Sequence, residues 1–287
     1  MTSGPGFRSS HLTLAPSLRG ARIALLEARM GTELASLVER WSGVPYCVPL
    51  VREVERDRRE EVARLVTWLN QGDPRLVVFL NGAGVDGMFR VAASLGREDE
   101  LTRGLARSEM ICRGPKPVAA LKSRGLSPSI RVSEPYTTRE VLQTLGDVEV
   151  RGREALVVHH GERNEVLVGA LARAHVKTRE LSLYEWELPE DLAAAFRLVD
   201  EIVEGRVGVV AFTTQIQARH LLAVAERAKK KKELVHALRT HTLVAAIGPT
   251  CADTLTALGI PPKVVPANPK MGPLVQSLAR FLTEARV

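Results

Sequence analysis

The sequence has few cysteines and few aromatic residues. Cys47, Cys112 and Cys251 lie far apart, with neither CxxC nor metal-ligand spacing, so the sequence predicts no disulfide framework and no zinc site. Aromatic residues make up 4% of the chain. None of them interrupts the dense cationic run 229–232. That run is typical of a solvated helix end rather than of a surface that stacks nucleic-acid bases.

Long apolar runs are also missing. No run approaches the ~20 residues needed to cross a bilayer. Residues 1–20 mix Gly, Ser, Pro and Arg without the hydrophobic core of a signal peptide. We therefore expect a cytoplasmic protein with no membrane partner, in which residues 1–20 form a flexible N-terminal extension.

The composition is that of a folded protein with room for two domains. The chain has 287 residues, of which 45% are hydrophobic and 25% charged. Its formal net charge of +7 would suit either a nucleic-acid binder or a pocket for a small polyanion. Because the charge is not concentrated in a base-stacking surface, we expect a small-molecule partner and no nucleic acid.

The chain contains two copies of one α/β unit, offset by about 134 residues. The matching segments are Gly114 with Gly248, Gly125 with Gly259, Leu76–Phe79 with Val209–Phe212, Val141–Leu145 with Leu274–Leu278, and Ile23–Leu26 with Val157–His160. The matches keep one order along the chain. An internal duplication explains that order, whereas chance would supply only isolated matches.

Each copy alternates strands and helices. Apolar runs at 22–26, 75–80, 155–158, 207–212 and 243–247 predict strands buried on both faces. Helical spacing of apolar residues predicts helices over Glu33–Trp41, Val85–Ser94, Val118–Ser123, Asn164–Ala174, Asp191–Glu204, Ile216–Ala228 and Ala252–Leu258. This alternation predicts parallel sheets with right-handed crossovers. Ligands of such sheets bind beyond the carboxyl ends of the strands, so functional residues are expected in the turns there.

Two of these turns resemble those of the uroporphyrinogen-III synthase family. Ala246–Gly259 contains the Ile-Gly-Pro-Thr turn and follows Val210–Gln215, and Arg113–Lys116 is a weaker copy of the same turn. Leu183-Tyr184-Glu185 is similar to the family's tyrosine near the crossing between lobes. The resemblance covers roughly residues 20–285.

The resemblance implies an α/β fold with two similar flavodoxin-like lobes, each a parallel sheet flanked by helices, and a central cleft. Residues 21–51 and 187–287 would form lobe one, and residues 56–183 would form lobe two. Residues 52–55 and 184–186 would be the two interlobe connections. Each lobe would then combine the first half of one copy with the second half of the other. Nothing in the sequence demands more than a monomer.

The resemblance also implies a reaction that needs neither cofactor nor metal. Hydroxymethylbilane, a polyanionic linear tetrapyrrole, would be cyclised with loss of water and inversion of its last ring to give uroporphyrinogen III, which makes the protein a lyase of tetrapyrrole biosynthesis. The substrate also closes unaided to the non-inverted isomer, so the protein's main task would be to hold it in one conformation. The upstream hydroxymethylbilane synthase is the macromolecular partner implied, as a transient contact.

Tyr184 is the candidate catalytic acid, because a phenol can hydrogen-bond the leaving hydroxyl; the alternative is an aromatic side chain packed at the hinge. The candidate substrate-binding residues are Asn81, Gly82, Arg113, Gly114, Lys116, Thr138, Gly161, Arg163, Thr213, Thr214, Gln215, Gly248 and Thr250. Each threonine could instead cap the helix that follows it, and for Thr250 alone capping is favoured. Thr137 or Thr138 is the expected N-cap of the helix after Tyr136.

Three further expectations concern the charged and polar side chains of these turns. The family usually has a Thr-Ser pair where this chain reads Leu80–Gly84, which leaves Asn81 as the side-chain donor there. Arg163 resembles the family's Gly-x-Arg turn, and Arg29, its copy in the duplication, is interpreted as an exposed arginine. His159 and His160 point to opposite faces of one strand and cannot share a metal ion, so structural or solvent-facing roles are favoured for both.

Three alternatives remain open at this stage. The same fold could be a non-catalytic sensor that binds a tetrapyrrole or another anionic small molecule, and the altered loop at 80–84 supports this hypothesis. A periplasmic-type receptor is disfavoured by the lack of a signal sequence. A nucleic-acid-binding protein is supported by net charge alone.

Overall fold

The structure is a computed structural model that describes residues 15–285. Residues 1–14 of the expected N-terminal extension therefore lie outside the described residues. Within residues 15–20, Leu18 is completely buried in a hydrophobic cluster. The backbone N–H of Ser17 donates to Thr283 Oγ1 at 3.1 Å, which joins the two ends of the described chain.

Strands and helices alternate along the described chain. The strands are β1 (Arg22–Leu25), β2 (Val44–Cys47), β3 (Arg52–Glu55), β4 (Leu76–Phe79), β5 (Glu109–Cys112), β6 (Ile130–Arg131), β7 (Glu154–Val158), β8 (Lys177–Leu181), β9 (Tyr184–Glu187), β10 (Val209–Phe212) and β11 (Leu243–Ala246). The helices are α1 (Gly31–Arg40), α2 (Arg59–Leu69), α3 (Gly82–Ser94), α4 (Glu98–Ala106), α5 (Pro115–Lys122), α6 (Thr138–Gly146), α7 (Glu165–Arg173), α8 (Ala193–Val203), α9 (Gln215–Arg227), α10 (Lys231–Thr240), α11 (Pro249–Ala257) and α12 (Met271–Glu284). No helix within residues 15–285 combines the length and apolar character that a bilayer crossing requires.

The chain divides into two compact units. The described residues up to Arg52 and from Leu188 onward form unit 1, and residues 53–187 form unit 2. Unit 1 contains a parallel sheet with the order β11-β10-β1-β2, and unit 2 contains a parallel sheet with the order β6-β5-β4-β7-β8. The segments expected to connect two lobes form β3 and β9, which pair with each other in a separate two-stranded sheet.

Both parallel sheets have helices on both faces. All four residues of β4 and of β10 are buried, which is why these strands are uninterrupted apolar runs. In β10, Val210 and Phe212 pack in one hydrophobic cluster and Val209 and Ala211 in another, because successive side chains point to opposite faces. The predicted α/β class with parallel sheets flanked by helices is confirmed.

The two sheets have the same strand order because of the duplication. The copies of β10, β11, β1 and β2 are β4, β5, β7 and β8, in the same positions of the second sheet. Even the short edge strand β6 has a counterpart, since Val264 forms a parallel bridge with Ala245 beside β11. The sheet of unit 1 therefore contains β1 and β2 from the first copy and β10 and β11 from the second. The sheet of unit 2 contains β4, β5 and β6 from the first copy and β7 and β8 from the second.

The strand register corrects one part of the repeat alignment. Ile23 pairs with Val209, and Ala155 pairs with Leu76, which is the copy of Val209. Ile23 is therefore equivalent to Ala155 and not to Val157, so the expected match of Ile23–Leu26 with Val157–His160 is wrong by two positions. The helices α1 and α7 nevertheless begin at Gly31 and Glu165, which keep the spacing of the repeat as a whole. The turn between β7 and α7 is thus two residues longer than the turn between β1 and α1.

Helix ends repeat between the copies as well. Gly125 and Gly259 have φ angles of 73° and 79°, in the left-handed region that favours glycine. After each glycine the next N–H donates back to a leucine carbonyl five residues earlier, at 3.1 Å after α5 and 2.9 Å after α11. Both glycines are the left-handed helix caps that the sequence predicts.

Candidate active site

Three polar side chains meet at the carboxyl ends of the strands of unit 2. Tyr184 begins β9 and is 5% exposed, Asn81 follows β4, and His160 follows β7. The Tyr184 hydroxyl contacts both Asn81 Nδ2 and His160 Nδ1, and these two nitrogen atoms also contact each other. We call these three residues the tyrosine cluster. It lies where ligands of parallel α/β sheets bind.

The orientation of the Asn81 amide is fixed by the helix that it begins. Asn81 is the N-cap residue of α3, and its Oδ1 accepts a hydrogen bond from the Gly84 N–H at 2.8 Å. Because the oxygen is held at the helix, the amide nitrogen must face Tyr184 and His160. Asn81 is therefore a hydrogen-bond donor within the tyrosine cluster, and the altered loop at 80–84 is what places a donor there.

The turn after β7 brings His160 to Tyr184. Gly161 has a φ of +72°, and a Cβ atom there would overlap the indole ring of Trp186. The backbone N–H of Trp186 donates to the Gly161 carbonyl at 3.0 Å, and the indole packs edge-on against the His160 ring with centroids 4.6 Å apart. Gly161 thus has a steric reason to be glycine. His160 is half-buried against Tyr184, so the solvent-facing alternative considered for it is wrong.

The turn after β5 adds a cation beside the tyrosine cluster. Arg113 is half-buried, its Nε donates to the Leu80 carbonyl at 3.1 Å, and burial lowers the pKa of Arg113 while interaction with Tyr184 opposes that shift. Gly114 has a φ of +95° and packs against the Tyr136 ring, where a Cβ would lie 3.3 Å from the ring. The arginine is therefore held close to Tyr184 by a turn that needs glycine.

Gly82 and Lys116 lie where α3 and α5 begin. A Cβ on Gly82 would lie 3.1 Å from the Lys116 carbonyl oxygen, so glycine allows the two helices to approach closely. The Lys116 side chain is exposed in the first turn of α5. Gly82 thus has a packing role, and Lys116 is the accessible cation of this turn.

Arg163 is engaged in an ion-pair network within unit 2. Its Nε and Nη2 donate to the two carboxylate oxygens of Glu180, each at 2.7 Å, and it also contacts Glu165. The Arg163 hydrogen bond and the contact with His159 hold the pKa of Glu180 below its usual value. The expected role of Arg163 as a cation for substrate carboxylates therefore competes with a bidentate pair that already occupies its guanidinium.

Of the two roles favoured for His159, the structure shows the structural one. It is 2% exposed, and burial lowers its pKa, although its Nε2 lies 2.8 Å from Glu180. Its Nδ1 accepts from the Asn164 N–H at 3.3 Å, and Asn164 in turn donates to Thr138 Oγ1 at 2.8 Å. Thr138 thus belongs to the support of α7, while Thr137 is the N-cap of α6 with a complete capping box, as predicted.

In unit 1, the turn after β10 contacts a carboxylate that the sequence did not single out. Thr213 Oγ1 donates to Glu27, which follows β1, and the Gln217 side chain contacts both residues, at 2.8 Å from Thr213 Oγ1 and 3.4 Å from Glu27 Oε2. The Thr213 hydroxyl is therefore committed to Glu27. Thr214 is the N-cap residue of α9 and forms a capping box with Gln217, and its buried Oγ1 donates no hydrogen bond to any of residues 15–285.

The helix that follows the Ile-Gly-Pro-Thr turn is capped by a different residue from the one expected. The N-cap residue of α11 is Gly248, and Thr250 is an exposed residue in the first turn, so the favoured capping role of Thr250 is wrong. A Cβ on Gly248 would lie 2.7 Å from Pro269 Cβ. Gln215 Oε1 accepts from Thr254 Oγ1 at 3.2 Å, which ties the start of α9 to α11.

The predicted residues therefore form separate groups. In unit 2, Tyr184, Asn81 and Arg113 come together, and His160 joins them although the sequence argument set it aside. In unit 1, Thr213 and Thr214 adjoin Glu27 and Gln217, which were missed. The available signal for both His160 and Glu27 was position, since each comes shortly after a predicted strand. Within residues 15–285, no group of three or more His, Cys, Asp or Glu side chains is arranged to hold a metal ion.

Comparison with known proteins identifies one family and several similar proteins. A family model described as uroporphyrinogen-III synthase HemD matches residues 32–276. Uncharacterized protein YjjA of Bacillus subtilis is 27% identical in an alignment of length 278 that covers 94% of this chain and 99% of that protein. A mutant uroporphyrinogen III synthase from Thermus thermophilus is 26% identical, with a TM-score of 0.75 over 92% of this chain and 99% of that chain. The wild-type form of that enzyme gives 26% and 0.61 over 93% and 100%.

Proposed function

This chain belongs to the uroporphyrinogen-III synthase family, and on that premise we propose that it cyclises hydroxymethylbilane to uroporphyrinogen III. The proposed reaction removes water from the substrate and joins its two terminal rings with inversion of the last one. The protein would thus be a cyclising lyase of tetrapyrrole biosynthesis. The observation that carries this proposal is the tyrosine cluster at the strand ends of unit 2.

Tyr184 is suited to the first chemical step. The substrate's terminal hydroxyl is a poor leaving group until it receives a proton, and a phenol held beside it can supply that proton. When the carbon–oxygen bond breaks, water departs and a reactive azafulvene remains. The Asn81 N–H and the nearby Arg113 guanidinium stabilise the phenolate that proton donation leaves behind.

The strand-end turns are suited to holding a polyanion. Lys116, in the first turn of α5, is an exposed cation at the same edge of the sheet as the tyrosine cluster. Helix N-termini present free N–H groups that favour carboxylates, and α3 and α5 both begin at this edge of the sheet of unit 2. In unit 1, the hydroxyl of Thr214 is a buried donor that a substrate group could satisfy. Holding the flexible substrate in one conformation is the step that selects the inverted product.

An isomer assay tests the proposal. Freshly prepared hydroxymethylbilane is incubated with and without the protein, the products are oxidised to porphyrins, and the type I and type III isomers are separated by chromatography. We expect a large excess of type III with the protein and type I alone without it. Type I alone in both samples would overturn the proposed activity and favour a non-catalytic binding protein, for which binding of the product would then be measured.

A further inference from the structure

The turn that contains His160 is longer than its counterpart in the other copy. Strand register makes Ile23 of β1 equivalent to Ala155 of β7. The chain then runs two residues further from Ala155 to the start of α7 than from Ile23 to the start of α1. The two additional residues lie in a turn that folds back on itself, with an antiparallel bridge between His160 and Glu162. The longer turn contains His160, whereas residues 26–30, which form the described turn between β1 and α1, contain no histidine.

The position of His160 is firmly determined. Gly161, next in the chain, is held against β9 by the hydrogen bond from the backbone N–H of Trp186 and by contact with the Trp186 ring. The Trp186 indole also packs edge-on against the imidazole. Tyr184 and Trp186 lie two residues apart on the same strand and so face the same side of it. The strand that carries the phenol thus also fixes the imidazole.

The hydrogen atoms of the three side chains in the tyrosine cluster limit which hydrogen bonds can form among them. The Asn81 Nδ2 atom carries two diverging hydrogens, and the neutral imidazole is a donor at Nδ1 when its proton is on that atom. The Tyr184 oxygen and His160 Nδ1 contact each other as well as Nδ2, so they lie too close together for the two amide hydrogens to reach both. The phenol oxygen can instead accept one hydrogen bond from Asn81 Nδ2 and one from His160 Nδ1. Its own proton is then directed away from the imidazole, and in this arrangement the phenol can donate to a bound substrate.

We propose that His160 is a positioning residue for Tyr184, an inference that rests on the function proposed above. By donating from Nδ1 to the phenol oxygen, His160 turns the Tyr184 proton towards the leaving hydroxyl of the substrate. The proton passes from the phenol to that hydroxyl as the carbon–oxygen bond breaks and water leaves. The proton released when the new carbon–carbon bond forms returns to the phenolate, so no further reactant is consumed.

Steady-state kinetics of type III formation test this role. We expect His160→Ala to lower kcat about tenfold to a hundredfold, the scale on which misplacing a catalytic group acts, with little change in KM. His160→Asn should recover part of the loss, since its shorter amide can place a hydrogen-bonding atom near the position of Nδ1. In a Tyr184→Phe background, His160→Ala should cause no further loss. His236→Ala, which removes an exposed histidine on α10, is the matched control and should leave kcat unchanged.

Two outcomes would overturn the inference while leaving the proposed function intact. One is type III formation with losses from His160→Ala and Tyr184→Phe that multiply in the double variant. The other is an unchanged nitrogen NMR resonance of His160 Nδ1 when Tyr184 is replaced by Phe, because that resonance reports the hydrogen bonds of the atom. Failure of the proposed function has a different signature, in which no type III isomer forms and the Nδ1 resonance still moves.

Discussion

A tyrosine hydroxyl that is buried needs a hydrogen-bonding partner, and that of Tyr184 has two, an amide and an imidazole. The Asn81 amide is oriented by the helix it caps, and the His160 imidazole is oriented by Trp186. Both would remain in place if the hydroxyl were removed, since they also contact each other. Stability and reactivity at this residue can therefore be separated experimentally.

Tyr184→Phe should lower kcat for type III formation by about a hundredfold or more, the usual contribution of general acid catalysis. The same substitution should cost only about 1 kcal/mol of unfolding free energy, because the two partners of the hydroxyl also contact each other and can form a hydrogen bond once it is removed. Turnover and thermal unfolding are measured on the same preparation. Tyr136→Phe is the matched control, since it removes a hydroxyl that bonds the exposed Glu134 at 3.2 Å. Unchanged turnover in Tyr184→Phe would remove the acid role.

At the scale of single elements, the duplicated helix ends allow the same substitution to be made twice. Gly125 and Gly259 both have positive φ angles, and a Cβ on either would meet no atom within 4 Å. The cost of alanine at these sites is therefore one of backbone conformation alone. Gly146, the last residue of α6, also has open space around it but does not have a positive φ.

Gly125→Ala and Gly259→Ala should each lower the free energy of unfolding by about 1–2 kcal/mol, the cost of the left-handed conformation for a residue with a Cβ. Gly146→Ala should be neutral or slightly stabilising, because alanine has the higher helix propensity. Chemical denaturation of the three variants measures the differences. Similar values for all three would mean that the left-handed caps do not determine the cost.

Elements were predictable where one signal dominates; of the site, Tyr184, Asn81 and Arg113 were predicted, but the contact with His160 was not. The apolar runs of β4 and β10 indicate buried strands on their own. Helix α2 was missed although its buried residues follow helical spacing, because charged residues surround them. His160 and Tyr184 are 24 residues apart, and their contact depends on a turn and a strand register that no local pattern encodes. The two additional residues of that turn also explain why the repeat alignment was two positions off there.

At the scale of the whole molecule, unit 1 is assembled from the two ends of the described chain. Residues 15–52 supply β1 and β2 and contribute Leu18, Ile23, Leu25, Leu34 and Val38 to its core, all of them fully buried. A fragment of residues 188–285 would lack these contacts. The hydrogen bond between Ser17 and Thr283 shows that a short linker can join the two segments in the opposite order.

Residues 188–285 alone should show no cooperative thermal unfolding, since half of their sheet and much of one core cluster are missing. The same residues joined through a short Gly/Ser linker to residues 15–52 should unfold cooperatively. Residues 53–187, which contain all five strands of the second parallel sheet, serve as the control and should also unfold cooperatively. Calorimetry of the three fragments measures whether each unfolds cooperatively. Cooperative unfolding of residues 188–285 by themselves would contradict the expectation.

The shared strand order has a consequence for the history of this fold. A chain with a single copy could complete neither sheet, so two such chains would have to exchange halves and would form a symmetric, domain-swapped pair. Such a pair would carry two identical reaction centres, and any useful mutation would appear in both. Within one polypeptide the two copies can differ, and the phenol and the imidazole of the tyrosine cluster both lie in unit 2. The substrate proposed above, in which only the last of four pyrroles is inverted, is suited to a protein whose two halves carry different side chains.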